Sequence, residues 1–298
     1  MTREERYASI YSHDTVYCPP QEEGCAMLEV ALGCSWGKCL FCDFAKDKFY
    51  IHPMEKIEEN LKVLGELLPE KDRVFFLGEN ALCLDTEKLL AIMEMTKRYM
   101  PKVTSFDMYA RFDDVLRKSQ TELEQLRAAG MEDLHIGFES GSDSILAMMN
   151  KGVNTFEMLE GSRKLDKAGI GYYFTVILGL GGKSMRNIHA IETGRLLSKM
   201  KPKGIWCLNL KLWPDTPLER MAKRNQFDPM TPYEMLLEER LLLQNLNVEE
   251  ECFYMDTTAL NMFTIQGLLP MAKDSMLDSI NRLLGSKVNK ARYDKLDL

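Results

Sequence analysis

Short apolar, β-branched runs alternate with longer amphipathic stretches along most of this chain. The runs MLEVALG (27–33), RVFFLG (73–78), VTSFDMYA (103–110), DLHIGFES (133–140), YYFTVILGL (172–180) and GIWCLNLKLW (204–213) have strand length and strand side chains, bounded by Gly, Pro or charges. Helical periodicity fills the intervals. MEKIEENLKVLGELLP places Ile57, Leu61, Leu64 and Leu68 on one face. SQTELEQLRAAG opens on a capping box, Ser119 with Glu122, and closes on Gly130; NTFEMLEGSRKLDKAG repeats the design from Asn154 to Gly169. From the second run onward, strands begin about 30 residues or a little more apart, the period of a βα unit.

That repeat predicts parallel strands with right-handed helical crossovers. An open doubly wound sheet and a barrel both satisfy it, and six units rather than eight favour an incomplete barrel. The expected fold class is α/β: a partial (β/α)6 TIM-like barrel over 27–249, preceded by a lead-in segment, 1–26. After a turn-rich link and a helix near 232–246, residues 250–298 lose the period. They predict a mainly helical extension whose one strong helix, PMAKDSMLDSINRLLG, turns Met271, Leu277, Ile280 and Leu284 one way. With DTTALNMFTIQG (256–267) ahead of it, this extension is expected to cap the barrel opening and shape a substrate pocket.

Composition narrows the picture little. With 45% hydrophobic and 28% charged residues the 298-residue chain is globular rather than disordered, and its twenty methionines read as core filler. No apolar run approaches the roughly 18 residues of a membrane span. MTREERYASIYSHD has no apolar leader core, so a cytoplasmic protein is expected. Net charge is −7, and the densest basic patch, KMKPKG (199–204), sits where a helix should end. Nucleic acid is therefore not the expected partner.

Eight cysteines stand at 18, 25, 34, 39, 42, 83, 207 and 252. A disulfide framework does not suit such a chain, which leaves metal binding, catalysis or packing. Three thiols crowd into GCSWGKCLFCDF (33–44), directly after the first strand, where parallel α/β folds build their sites. Gaps of four and then two residues let a compact loop aim three thiolates at one metal cluster. On a four-iron cubane this leaves one iron open. Zinc needs a fourth ligand, here Cys18, Cys25 or His52, and an electron-transfer cluster wants a fourth cysteine; both readings stay open on spacing alone.

This stretch resembles the radical S-adenosylmethionine (SAM) enzymes, whose cysteine loop follows the first strand and carries an aromatic residue before its last cysteine, here Phe41. The common gap of three is four here, which resembles a sub-group reading GCxxxxCxFC. The branch it looks most like holds proteins similar to oxygen-independent coproporphyrinogen oxidase and elongator. The resemblance implies a [4Fe–4S] cluster on Cys34, Cys39 and Cys42, and SAM packed on Phe41. It implies a glycine-containing turn, Gly78, Glu79 and Asn80, at the SAM amino group. Glu139 and Lys151 would meet opposite polar ends of SAM, and Thr175, Leu210 and Lys211 would lie near its adenosyl part. Tyr109, Arg111 and Tyr173 are the substrate candidates.

By the same resemblance the reaction forms a 5′-deoxyadenosyl radical that attacks a small or medium-sized metabolite, with an electron donor such as flavodoxin or ferredoxin. No second cluster motif is present, and neither a cobalamin-binding nor an extra N-terminal domain is expected. Two rivals remain: radical SAM modification of a tRNA or peptide, and a non-catalytic iron–sulfur or zinc protein.

Overall fold

Side chains of successive strand residues point to opposite faces, and that alternation organises the computed structural model of the chain, which describes residues 2–14, 16–44, 47–256 and 263–286. Helix α1 (Arg3–Ala8) is closed by a capping box from Thr2 and Glu5. Then come β1 (Ala26–Glu29), β2 (Ala31–Leu32), β3 (Tyr50–Ile51), α2 (Met54–Leu67), β4 (Arg73–Leu77) and α3 (Thr86–Tyr99). They are followed by β5 (Ser105–Ala110), α4 (Phe112–Arg117), α5 (Gln120–Ala128), β6 (Met131–Glu139), α6 (Asp143–Met148) and α7 (Thr155–Ala168). The chain continues through β7 (Gly171–Leu178), α8 (Gly182–Leu197), β8 (Gly204–Asn209), α9 (Pro217–Lys223) and α10 (Pro232–Asn245). Last come β9 (Cys252–Asp256), β10 (Ile265–Leu269) and α11 (Lys273–Gly285).

Among the described residues, eight strands form a mostly parallel sheet in the order β1-β4-β5-β6-β7-β8-β9-β10, with β10 antiparallel to β9, and β2 pairs separately with β3. This is the partial TIM-like barrel that the βα period predicts. The chain divides into two compact units: Met1–Gly37 with Phe44–Ile136 and Lys164–Gly171, and Lys38–Asp43 with Gly137–Arg163 and Tyr172–Leu298.

In the first unit one strand face is uniformly apolar. Leu28, Val74, Phe76, Phe106, Met108, Leu134 and Ile136 are all fully buried. The alternate positions carry Glu29, Arg73, Asp107, Tyr109, Asp133 and His135 beside the buried Phe75 and Leu77, more polar groups than a purely structural core would need. Helix α2 buries Ile57, Leu61 and Leu64 as expected, with Leu67 rather than Leu68 completing the face because the helix ends there. The Ser119–Glu122 capping box of α5 is reciprocal.

The second unit repeats the division. Tyr172, Phe174, Val176 and Leu178 of β7 are buried, while Tyr173, Thr175 and Ile177 are half-exposed. The buried face continues in register through Ile205 and Cys207 to Tyr254. Asn154 caps α7 reciprocally with Glu157. Beyond residue 250, two short strands precede the expected helix; β9 joins β8 in parallel, and neither strand continues the βα period that reveals the others. Met276 and Ile280 form the buried face of α11, and Leu277 and Leu284 are half-buried. Met271 precedes the helix and is exposed. Part of the expected cap, 257–262 and 287–298, lies outside the described residues.

The two faces should respond differently to truncation. Leu134→Ala removes fully buried packing and should cost about 2–5 kcal/mol in urea unfolding, whereas Thr175→Ala should stay within about 0.5 kcal/mol. Equal losses would mean that the half-exposed face is also core.

Candidate functional site

The cysteine loop passes from the first unit into the second between Gly37 and Lys38, and each half has its own anchors. In the first unit, Gly33 holds φ +65 just ahead of Cys34, and a β-carbon there would fall 2.6 Å from the Asp47 carbonyl oxygen. The next residue is gripped by Asn80: the Ser35 N–H donates to Asn80 Oδ1 at 3.1 Å, and Asn80 Nδ2 donates to Ser35 Oγ at 2.7 Å and to Asp114 Oδ2 at 2.8 Å. The amide that the sequence aims at SAM is thus engaged in bracing the residue beside Cys34. Arg111, a substrate candidate, is buried; it donates to Asp113 Oδ1 at 2.8 Å and lies 5.2 Å from the Trp36 ring centre, bracing the same half-loop.

Tyr109 stands edge-on to Phe75 and His135, with its hydroxyl pKa raised mainly by burial. Glu79 is half-buried, its pKa raised by burial and then by Asp47. Gly78 takes φ +133, and a β-carbon there would lie 3.1 Å from the Ala31 side chain.

In the second unit the Leu40 N–H donates to the Met149 carbonyl at 3.0 Å, and Asn150 Nδ2 donates to the Lys38 carbonyl at 3.0 Å. Leu40 also accepts from the Leu218 N–H at 2.9 Å, and Phe41 is buried. The next residue of that turn, Lys151, donates through Nζ to Glu139 Oε1 at 2.8 Å, with both side chains less than a tenth exposed. Two features of HIGFESGS make this pair fit. Glu139 adopts φ +63, and Gly137 has no side chain: a β-carbon there would lie 2.2 Å from Glu139 Oε1 and 2.8 Å from Lys151 Nζ. The resemblance puts these two groups at opposite polar ends of SAM; the structure pairs them with each other.

Elsewhere in this unit the Leu210 N–H donates to the Leu178 carbonyl at 2.8 Å, and Lys211 Nζ lies 4.1 Å from the Trp213 ring centre. Thr175 and Trp206 are register partners on the half-exposed face, with Tyr173 two residues earlier.

Glu139 Oε2 is buried and has no hydrogen-bond partner among the described residues. A buried carboxylate oxygen is costly in that state and suits a ligand offering hydroxyl or ammonium donors, as SAM does. The donor chemistry of the loop suits an iron–sulfur cluster. All eight cysteines are free of disulfides, and a ligand must be a thiolate. Burial pushes the thiols of Cys25, Cys83 and Cys252 up to about 12 and raises Cys18 and Cys207 as well. Two of the three candidate fourth zinc ligands are engaged elsewhere: His52 pairs with Glu29 at 2.9 Å, and Cys25 donates to Glu22 at 3.1 Å. Among the described residues no group of three His, Cys, Asp or Glu side chains is gathered for a metal ion.

Sequence reasoning missed two other polar clusters. Glu22 joins His135 at 2.8 Å and Arg73 at 3.7 Å, and Arg73 reaches Asp107 at 3.4 Å, whose pKa burial lifts to about 8. Arg73 opens β4, so this cluster lies toward the strand starts, away from the cysteine loop. In the second unit, His189 and Glu238 form a buried pair at 3.0 Å. No motif announces either cluster, since the partners are far apart in sequence.

Residues 28–193 match the family model described as the Radical SAM superfamily. The chain is 26% identical over 167 residues to 4′-phospho-dehydrooxetanocin synthase of Priestia megaterium, covering 49% of this chain and 22% of that protein. It is 25% identical over 171 residues to the heme chaperone HemW of Bacillus subtilis (strain 168), covering 52% of this chain and 43% of that protein. The chain thus spans less than half the length of either relative. A solved structure of the radical S-adenosylmethionine methyltransferase TsrM from Kitasatospora setae, with cobalamin and a [4Fe–4S] cluster bound, aligns with TM-score 0.55. That match has 13% identity over 67% of this chain and 40% of that chain, a likeness of fold. No helix among the described residues is long and apolar enough to cross a membrane.

Anaerobic reconstitution should load about four irons per chain. Cys34→Ala, Cys39→Ala and Cys42→Ala should each lose the cluster, while Cys83→Ala and Cys207→Ala keep it; iron assay and visible absorption decide. Iron lost from the latter pair instead would identify different ligands.

Proposed function

The chain belongs to the radical SAM superfamily, with a [4Fe–4S] cluster and SAM as its cofactors; from that premise we propose that Cys34, Cys39 and Cys42 hold the cluster and that the substrate is a small or medium-sized metabolite. When bound and reduced by a donor of flavodoxin or ferredoxin type, the cluster supplies one electron that splits SAM into methionine and a 5′-deoxyadenosyl radical able to take a substrate hydrogen.

One observation carries this reading: the turn that holds the Lys38–Leu40 backbone also delivers Lys151 to Glu139, whose second oxygen is buried without a partner. Cluster ligands and a polar SAM contact are thereby fixed to one short piece of chain. Glu139 accepts from SAM hydroxyl or ammonium groups, and Lys151 orients the carboxylate. Phe41 packs on SAM, the 78–80 turn meets its amino group, and Thr175 with 210–211 borders the adenosyl part. Asn80 and Arg111 act on the loop through Ser35 and Trp36. Tyr109 and Tyr173 remain the substrate candidates.

The acidic balance of −7 and the lack of a Lys/Arg stripe favour a metabolite over a polyanion, which such a surface would repel.

Glu139→Gln keeps the shape and removes the charge. A lost charge-assisted contact of about 1.5–3 kcal/mol corresponds to SAM binding roughly 10- to 150-fold weaker, with iron content unchanged. Wild-type affinity in Glu139→Gln, and in the double variant Glu139→Gln/Lys151→Met, would remove the pair from the site.

Substrate class has its own test. Reductant and SAM should give slow 5′-deoxyadenosine formation that a low-molecular-weight cell fraction accelerates. Acceleration only by a macromolecular fraction, abolished by nuclease or protease, would replace the metabolite with an RNA or a protein.

A further inference from the structure

Beneath Glu139 lies a fully buried pair that the activity itself does not call for. His189 on α8 and Glu238 on α10 both have zero exposure. His189 Nδ1 faces Glu238 Oε1 at 3.0 Å, and its Nε2 faces the backbone carbonyl of Glu139 at 3.3 Å. The other oxygen of Glu238 accepts the Gly179 N–H. Two side chains from two helices therefore hold the ends of two adjacent strand-to-helix connections, one after β6 and one after β7. Both held residues have left-handed backbones, φ +63 at Glu139 and φ +85 at Gly179. For a glutamate that conformation costs on the order of 1–3 kcal/mol and persists only where the surroundings impose it.

We propose that His189 and Glu238 are positioning residues for SAM: by fixing the Glu139 and Gly179 backbones, the doubly donating imidazolium aims the Glu139 carboxylate at the cofactor. This rests on the reading of Glu139 as a SAM contact. Both atoms facing the ring are acceptors, so the imidazolium satisfies both, and a neutral ring with a single N–H satisfies only one. The groups facing His189 are Glu238 from α10, the Glu139 carbonyl from β6 and Glu192 from its own helix. Burial disfavours the charged ring, but the Glu238 charge and hydrogen bond, with the Glu139 carbonyl, outweigh it, and the pKa is raised above the ordinary histidine value. A group raised on folding contributes its full stabilisation below the unfolded value and loses it as pH rises through the folded one. The clamp therefore holds fully below the ordinary histidine value and loosens as pH rises through the raised one.

The test is the SAM affinity of the anaerobically reconstituted full chain across pH, with iron content checked at each point. Wild-type affinity should fall as pH rises through the His189 titration. His189→Gln should bind SAM about tenfold more weakly than wild type on the acidic side of that step and lose the step itself. Glu238→Gln keeps an acceptor for Gly179 and removes the charge, so it should move the step to lower pH, which a merely structural role would not do. Unchanged affinity and pH profile in His189→Gln, with Glu139→Gln still weakened, would overturn the clamp and leave the Glu139 reading intact. Unaltered binding in Glu139→Gln would overturn the reading itself. Should His189→Gln fail to fold, an unmoved step in Glu238→Gln overturns the clamp.

Discussion

An ammonium and a carboxylate 2.8 Å apart, both nearly out of water, govern the arrangement of the second unit. Burying two charges costs several kcal/mol per ion, and their attraction offsets it only when the geometry is good and the remaining lone pairs are satisfied. Here the geometry is good, yet one oxygen of Glu139 stays unsatisfied. Gly137 leaves the room, the left-handed backbone of Glu139 turns its side chain inward, and Asn150, itself at φ +52, shapes the turn that presents Lys151. The same turn holds the backbone at Lys38 and Leu40. A displacement of either charge would thus be felt by the segment that carries Cys39 and Cys42.

The fold tolerates this concentration of polar chemistry because the opposite strand face is so uniformly apolar. Fully buried Leu, Ile, Val, Met and Phe side chains in β1, β4, β5 and β6 supply packing that does not depend on the polar face. The polar face then divides by height along the strands. Toward the strand starts, Glu22 meets His135 and Arg73, and Arg73 reaches Asp107. At the strand ends, Glu139 keeps an unused acceptor.

The βα period and the capping boxes were legible because both are local: the Ser119–Glu122 and Asn154–Glu157 pairs lie three residues apart. The cysteine loop was legible by its spacing. What was not legible depends on tertiary contact. Glu139 and Lys151 are twelve residues apart, and nothing in HIGFESGS or MMNKGV shows that they meet each other. Asn80 follows the glycine of its turn, as a cofactor contact would, but its partners, Ser35 and Asp114, come from the cysteine loop and from α4. His189 and Glu238 are 49 residues apart, on two different helices. The strands β9 and β10 escaped because one pairs in parallel and the other antiparallel, which breaks the period that identified the rest.

The most direct test of the central claim is an anaerobic crystal structure of the cluster-loaded protein with SAM. The account predicts a SAM hydroxyl or ammonium group within hydrogen-bond distance of Glu139 Oε2, about 2.6–3.2 Å, with the Lys151 ion pair and the Leu40–Met149 contact kept. SAM bound at the cluster with Glu139 Oε2 still lacking a partner would contradict it.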